Sequence, residues 1–121
     1  MSGICSAAIF AVSAALLAQD APAADVGRGA LLFQTCGACH SVLGDGVGPD
    51  LNGVYGRKAA TREGFHYSEA MKNSGITWDE TTLRAFIGNP QSVVKGTAMT
   101  FPGYEKPADV DDVIAYLKSL K

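Results

Sequence analysis

No lysine or arginine precedes Arg28, although the 121-residue chain carries ten of them. The composition changes at that point, so the chain divides into a leader-like part and a domain. Over the whole sequence the formal net charge is -2, which excludes the broad basic face that a general nucleic-acid binder needs to neutralise phosphates. Histidine is scarce at two residues and cysteine at three, too few for a second paired cluster of zinc ligands. No nucleophile–base pair, phosphate-cradling glycine loop or carboxylate dyad stands out, so hydrolytic chemistry has no support. No apolar run reaches the ~20 residues that span a bilayer. The chain is nonetheless 47% hydrophobic, which excludes a disordered polar tail and supports one domain.

The first part runs from Met1 to about residue 24. Ile4 to Ala18 is an unbroken series of apolar or small residues, followed by the loose stretch QDAPAAD. An apolar core of ~7–15 residues with small residues behind it is the pattern of a secretory signal peptide. Cleavage after Ala18 or after Ala23 satisfies the small-residue requirement, and the basic start usual in such signals is missing. The alternative is an uncleaved membrane anchor, making the protein a membrane-anchored carrier; the run is short for one. Cys5 would leave with a cleaved leader, and it lies too near the start for a lipoprotein signal.

Residues 25–121 then contain two cysteines, both in Cys36-Gly37-Ala38-Cys39-His40. A disulfide redox motif would follow a strand and open a helix in a βαβ setting. Here Ala30, Leu31, Leu32 and Phe33 read as helix instead. A structural zinc site would need a fourth ligand, and the only other histidine is His66. Haem attachment needs nothing further: two thiols on one turn add to the two vinyl groups of a porphyrin edge, and the adjacent histidine ligates the iron. That reading is preferred. A carrier of electrons would also need a second axial ligand, for which a thioether suits ferrous iron. Met1 goes with the leader. Met71, in a short segment, has core packing as its ordinary role. Met99 lies in an irregular stretch after Pro90 and before Pro102, and is favoured over Met71.

From about Gly29 to Leu120 the chain resembles the class I cytochromes c, close to the mitochondrial type and to the bacterial periplasmic c-two subgroup. The matching stretches, in family order, are CGACH, Gly48-Pro49-Asp50-Leu51, Gly53 to Lys58, Phe65 to Ser68, Gly75 to Trp78, Asn89-Pro90, Gly96 to Met99 and Ile114 to Leu117. A lone CxxCH is suggestive; this series is specific. The resemblance implies an all-α domain in which N- and C-terminal helices pack together and short helices and loops wrap one haem c. It implies axial ligation by His40 and Met99, thioether bonds from Cys36 and Cys39, and a Pro49 carbonyl that accepts the proximal imidazole N–H. Tyr67 and Trp78 match residues that hydrogen-bond a propionate, with Arg57 supplying positive charge and Thr97 a hydroxyl near the methionine loop. The implied role is a soluble one-electron carrier rather than an enzyme, exported to a bacterial periplasm, monomeric, with no nucleic-acid or small-molecule substrate. Its redox partners would be of the type of a bc-type complex, terminal oxidase, reaction centre or dehydrogenase.

The residues anticipate a first helix from Val26 to about Cys39, with Gly29 small enough for close helix contact. A middle helix capped at Asp79 or a neighbour presents Leu83, Phe86 and Ile87. Asn89-Pro90 ends it and starts another short turn. Val110, Val113, Ile114 and Leu117 fall on one face of a helix from Pro107 to Leu120, with Asp109, Asp111 and Asp112 in its first turn and Lys118 in its last. Ser41 to Ala60 reads as glycine-rich loop. Against the family, Phe86 replaces a common tyrosine, Met71 replaces a common asparagine, and the loop from His40 to Pro49 is shorter. Thr35, Gln91, Ser92, Ala98 and Glu105 stand where mitochondrial relatives ring the haem edge with lysines, leaving Lys95 and Lys106 as the nearby cations.

Overall fold

The computed structural model describes residue 3, residues 8–15 and residues 23–121. The leader positions Cys5 and Ala18 lie outside the described residues. Ile9, Phe10 and Val12, which are described, have no regular secondary structure and are almost fully exposed. Among the described residues no helix is long and apolar enough to cross a membrane.

Short helices joined by loops make up the rest, with one isolated antiparallel bridge, Lys58 to Thr77, and no strand among the described residues. Helix α1, Val26–Leu32, starts at Asp25, whose carboxylate accepts the Arg28 N–H. It is shorter than the expected span to Cys39. Past Phe33 the backbone alternates between i–4 bonds (Gly37 to Phe33, His40 to Cys36) and i–3 bonds (Gln34 to Leu31, Thr35 to Leu32). The chain thus tightens into a 3₁₀ turn at Cys36–Ala38, which keeps both thiols and the imidazole within about one turn.

Helix α2, Glu69–Lys72, is capped by Ser68. Helix α3, Glu80–Gly88, is capped as anticipated by Asp79, in a reciprocal box with Thr82, and buries Leu83, Phe86 and Ile87. Asn89 and Pro90 end it and begin α4, Pro90–Val93. Helix α5, Pro107–Ser119, buries Val110, Val113, Ile114 and Leu117 on the expected face. Only Asp109 of its three aspartates lies in the first turn. Asp111 and Asp112 are a turn further on and serve as ion-pair partners, to Arg84 and Arg28 respectively.

The contact that organises the domain is α1 against α5. A Cβ on Gly29 would stand 2.6 Å from the Asp112 carbonyl carbon and 3.0 Å from Tyr116 Cβ, so only glycine allows this approach. Asp112 accepts the Asp25 N–H at 2.8 Å and the Arg28 guanidinium at 2.6 Å, and Phe33 packs on Tyr116 with ring centroids 5.0 Å apart. With α1 and α5 locked at one side and α3 bracing α5, the loops of residues 41–60 and 95–106 close over the remaining space.

Candidate functional site

That space is a cavity of about 460 Å³, and most of the buried apolar residues face it, among them Phe33, Trp78, Leu83, Phe86, Val113 and Leu117. An interior hollow of that size is expected to be filled, because unfilled apolar space forfeits the contacts that hold a core together. Every residue picked out from the sequence as a site residue lines it: Cys36, Cys39, His40, Pro49, Arg57, Tyr67, Trp78, Thr97 and Met99. Met71 lines it too, half-buried at α2, so the two methionines of the domain share one cavity.

His40 is held from behind. Its Nδ1 lies 2.8 Å from the Pro49 carbonyl oxygen, and since a carbonyl can only accept, Nδ1 carries the proton. Nε2 is then the nitrogen with a free lone pair, the tautomer a metal ligand requires. Burial pushes the imidazole pKa down, against a smaller upward push from the Pro49 carbonyl, so the ring is neutral at neutral pH. Gly48 is needed here, because a Cβ would lie 2.5–2.9 Å from three atoms of the His40 ring. Cys36 and Cys39 are free thiols, the first half-buried and the second exposed. Burial raises the Cys36 pKa, which keeps that sulfur as a neutral thiol.

On the cavity wall facing the polar loops, the Arg57 guanidinium donates to the backbone carbonyls of Asn52 and Asp50 at 3.1 and 3.3 Å. Nearby, the Tyr67 hydroxyl accepts the Arg62 N–H at 3.3 Å and its ring meets Phe65 edge-on. Trp78 is buried and tilted against Phe86, with ring centroids 4.9 Å apart. The lining therefore offers a cation, a phenol and an indole among side chains that are mostly apolar. That donor set suits a flat apolar ring with acidic substituents along one edge, since buried carboxylates need donors and a cation to offset lost hydration.

Met99 comes from a loop without regular structure, between α4 and α5, anchored in ways the sequence alone did not reveal. Gln91 Nε2 donates to the Thr97 carbonyl at 3.1 Å, and Gln91 Oε1 accepts the Gly96 N–H at 3.3 Å. The Thr97 hydroxyl, nearly buried, accepts the Met99 N–H at 3.3 Å. At the far end the Tyr104 hydroxyl donates to the Leu32 carbonyl at 2.6 Å. Neither Gln91 nor Tyr104 was legible as a site residue, because the bonds by which they anchor the loop end on main-chain atoms and no residue pattern marks those.

Exposed apolar side chains border the cavity. Val47 lines it and is 84% exposed, and Leu43 in the same loop is 95% exposed. Much of the surface charge is tied up in pairs: Arg28 with Asp109 and Asp112, Arg62 with Asp45, Arg84 with Glu80 and Asp111, and Lys118 with Glu80. Among the described residues Lys95 and Lys106 make no ion pair.

Comparison with known proteins agrees with this geometry. The family model described as Cytochrome c matches residues 26–121. Cytochrome c2 of Rhodoblastus acidophilus is 51% identical over 102 residues, which is 82% of this chain and 95% of that protein. Cytochrome c2 of Rhodomicrobium vannielii is 49% identical over 114 residues, or 90% of this chain and 91% of that one. Among solved structures, cytochrome cH from Methylobacterium extorquens superposes with a TM-score of 0.77 at 46% identity, covering 78% of this chain and 98% of that one.

Proposed function

The chain belongs to the cytochrome c family, and from that premise we propose how its residues carry out electron transfer. It is an electron carrier with one covalently bound haem c, and not an enzyme. When bound, the haem supplies a one-electron ferric–ferrous couple. Cys36 and Cys39 anchor one edge through thioether bonds. His40 would bind the iron through Nε2, its ring oriented and made more basic by the Pro49 carbonyl. Met99, on the same cavity, would hold the iron through its thioether, which would deny outside ligands a place there and keep the role to electron transfer. Arg57, Tyr67 and Trp78 hold the propionate edge, and Thr97 steadies the Met99 backbone. The convergence of His40 and Met99 on one cavity is the observation that carries this reading.

Phe86 and Met71 both put apolar groups on the cavity wall. They make the surroundings of the iron drier, so the potential should differ from that of relatives with tyrosine and asparagine there. Redox proteins are the partners, and docking is proposed to use the exposed apolar side chains Val47 and Leu43. A bc-type complex, a terminal oxidase, a reaction centre or a dehydrogenase would suit such a carrier. Residues 1–24 are proposed to export the chain to a bacterial periplasm and to be removed there.

A redox titration of the purified haem protein, followed optically, tests the ligation. A far-red band in the ferric protein, reporting the iron–sulfur bond, is the expected result. Its absence would overturn ligation by Met99 and favour a site open to ligands.

A further inference from the structure

Met99 lies on a stretch of chain, from Thr97 to Tyr104, that has no helix or strand of its own to hold it. At its far end several contacts converge on one residue. The Tyr104 N–H donates to the Ile87 carbonyl at 3.0 Å, and Gly103, at φ +113°, sits so close to the Gly88 carbonyl that a side chain has no room. The Tyr104 ring meets Phe101 edge-on at 5.0 Å. Its hydroxyl reaches across to α1, donating to the Leu32 carbonyl at 2.6 Å and standing 3.7 Å from Cys36 Sγ. Leu32 ends α1, and its carbonyl, which takes only the Thr35 N–H at 3.3 Å, has a second lone pair for the hydroxyl.

From this geometry we infer that Tyr104 is a positioning residue that ties the Met99 loop to the haem-attachment segment, holding Met99 against departure from the iron. The inference rests on the proposed ligation by Met99. Loss of Met99 requires the loop to swing away from the cavity. A tether at its carboxyl end opposes that motion in proportion to its strength. The hydroxyl also stays protonated at neutral pH, since burial pushes its pKa up. The link joins segments 72 residues apart in sequence, so it acts on loop placement rather than on any single element.

The test is titration of the ferric holoprotein with imidazole, which binds only molecules whose Met99 has left, so its apparent affinity reports the fraction open. Tyr104→Phe removes the tether and keeps the ring. Losing one such hydrogen bond should tighten apparent imidazole binding by about three- to tenfold, while the far-red band persists without imidazole. Tyr104→Leu should do the same and stands in if the phenylalanine variant does not assemble. Asp25→Ala is the control for general loosening. It removes the α1 cap, and should lower the thermal midpoint with imidazole affinity unchanged. Two results overturn the inference: binding to both tyrosine variants within twofold of the parent, or tightening in Asp25→Ala equal to that in Tyr104→Phe. A parent protein without the far-red band overturns the Met99 assignment and the inference together. A parent with the band but insensitive tyrosine variants overturns the inference alone.

Discussion

Gly29 and Asp112 meet backbone to backbone. The α1 residue has no side chain because the carbonyl of the α5 residue occupies the place where one would begin. The same Asp112 then turns its carboxylate to the Asp25 N–H and the Arg28 guanidinium, so steric fit and charge fix one crossing of the two helices. Gly29→Ala should force the helices apart and cost about 1–3 kcal/mol, the usual range for overpacking a close contact. Denaturant unfolding of the haem protein measures this, and an unchanged midpoint would show that the crossing can relax.

The ion cluster at that crossing gives a pH dependence. The Asp112 carboxyl is held below its ordinary value of 3.8, chiefly by the Asp25 N–H and next by Arg28. A depressed folded pKa contributes stability that is fully present above the unfolded value and lost as pH falls through the folded one. Asp112→Asn should therefore be less stable than the parent at neutral pH. The gap should close as pH falls below about 3.8. A gap of constant size down the acid limb would contradict this account.

Gly48 protects the orientation of His40. Gly48→Ala puts a methyl 2.5–2.9 Å from the ring, which must turn and lengthen its bond to the Pro49 carbonyl. A less basic imidazole stabilises ferric iron less, so the reduction potential should rise. A redox titration giving the parent's potential would refute that link.

Removing the haem should remove most of the core. Phe33, Trp78, Leu83, Phe86, Val113 and Leu117 all face the cavity, and without the ring their inner surfaces are exposed to water or to empty space. Apoprotein made without haem attachment is expected to melt without a cooperative transition by calorimetry. A sharp, native-like melt would mean that α1 and α5 suffice by themselves.

With Val47 on the cavity lining, Leu43 exposed in the same loop, and Arg28, Arg62 and Arg84 in ion pairs, docking should depend little on long-range charge. Electron transfer to an isolated physiological partner is expected to change only weakly between low and moderate salt. A steep fall in stopped-flow rate over that range would show that charges steer the encounter.

Much of the site is legible in the amino-acid order alone. Cys36, Cys39 and His40 are neighbours in sequence, and chemistry restricts what two thiols and an imidazole in that order can hold. The α5 face is legible because a helix repeats every 3.6 residues, and the α3 cap because Asp79 and Thr82 act within one turn. Helix α1 is shorter than its residues suggest. Periodicity cannot tell an α-helix from a chain that tightens into 3₁₀ turns, and the difference rests on how the thiols must be presented. Asp111 and Asp112 fall outside the first turn of α5 because that helix starts at Pro107, and their ion pairs were not legible. Their partners, Arg84 and Arg28, come from other helices.

The sequence by itself thus determined the cofactor chemistry and the helical class, because both depend on residues close together along the chain. Only the tertiary structure decided how Met99 is placed. Met99 shares a cavity with His40 because distant residues hold its loop in place. Gln91 grips one end, and Tyr104 reaches the last carbonyl of α1 from the other. Those bonds end on backbone atoms, which every residue possesses, and so leave no mark in the sequence.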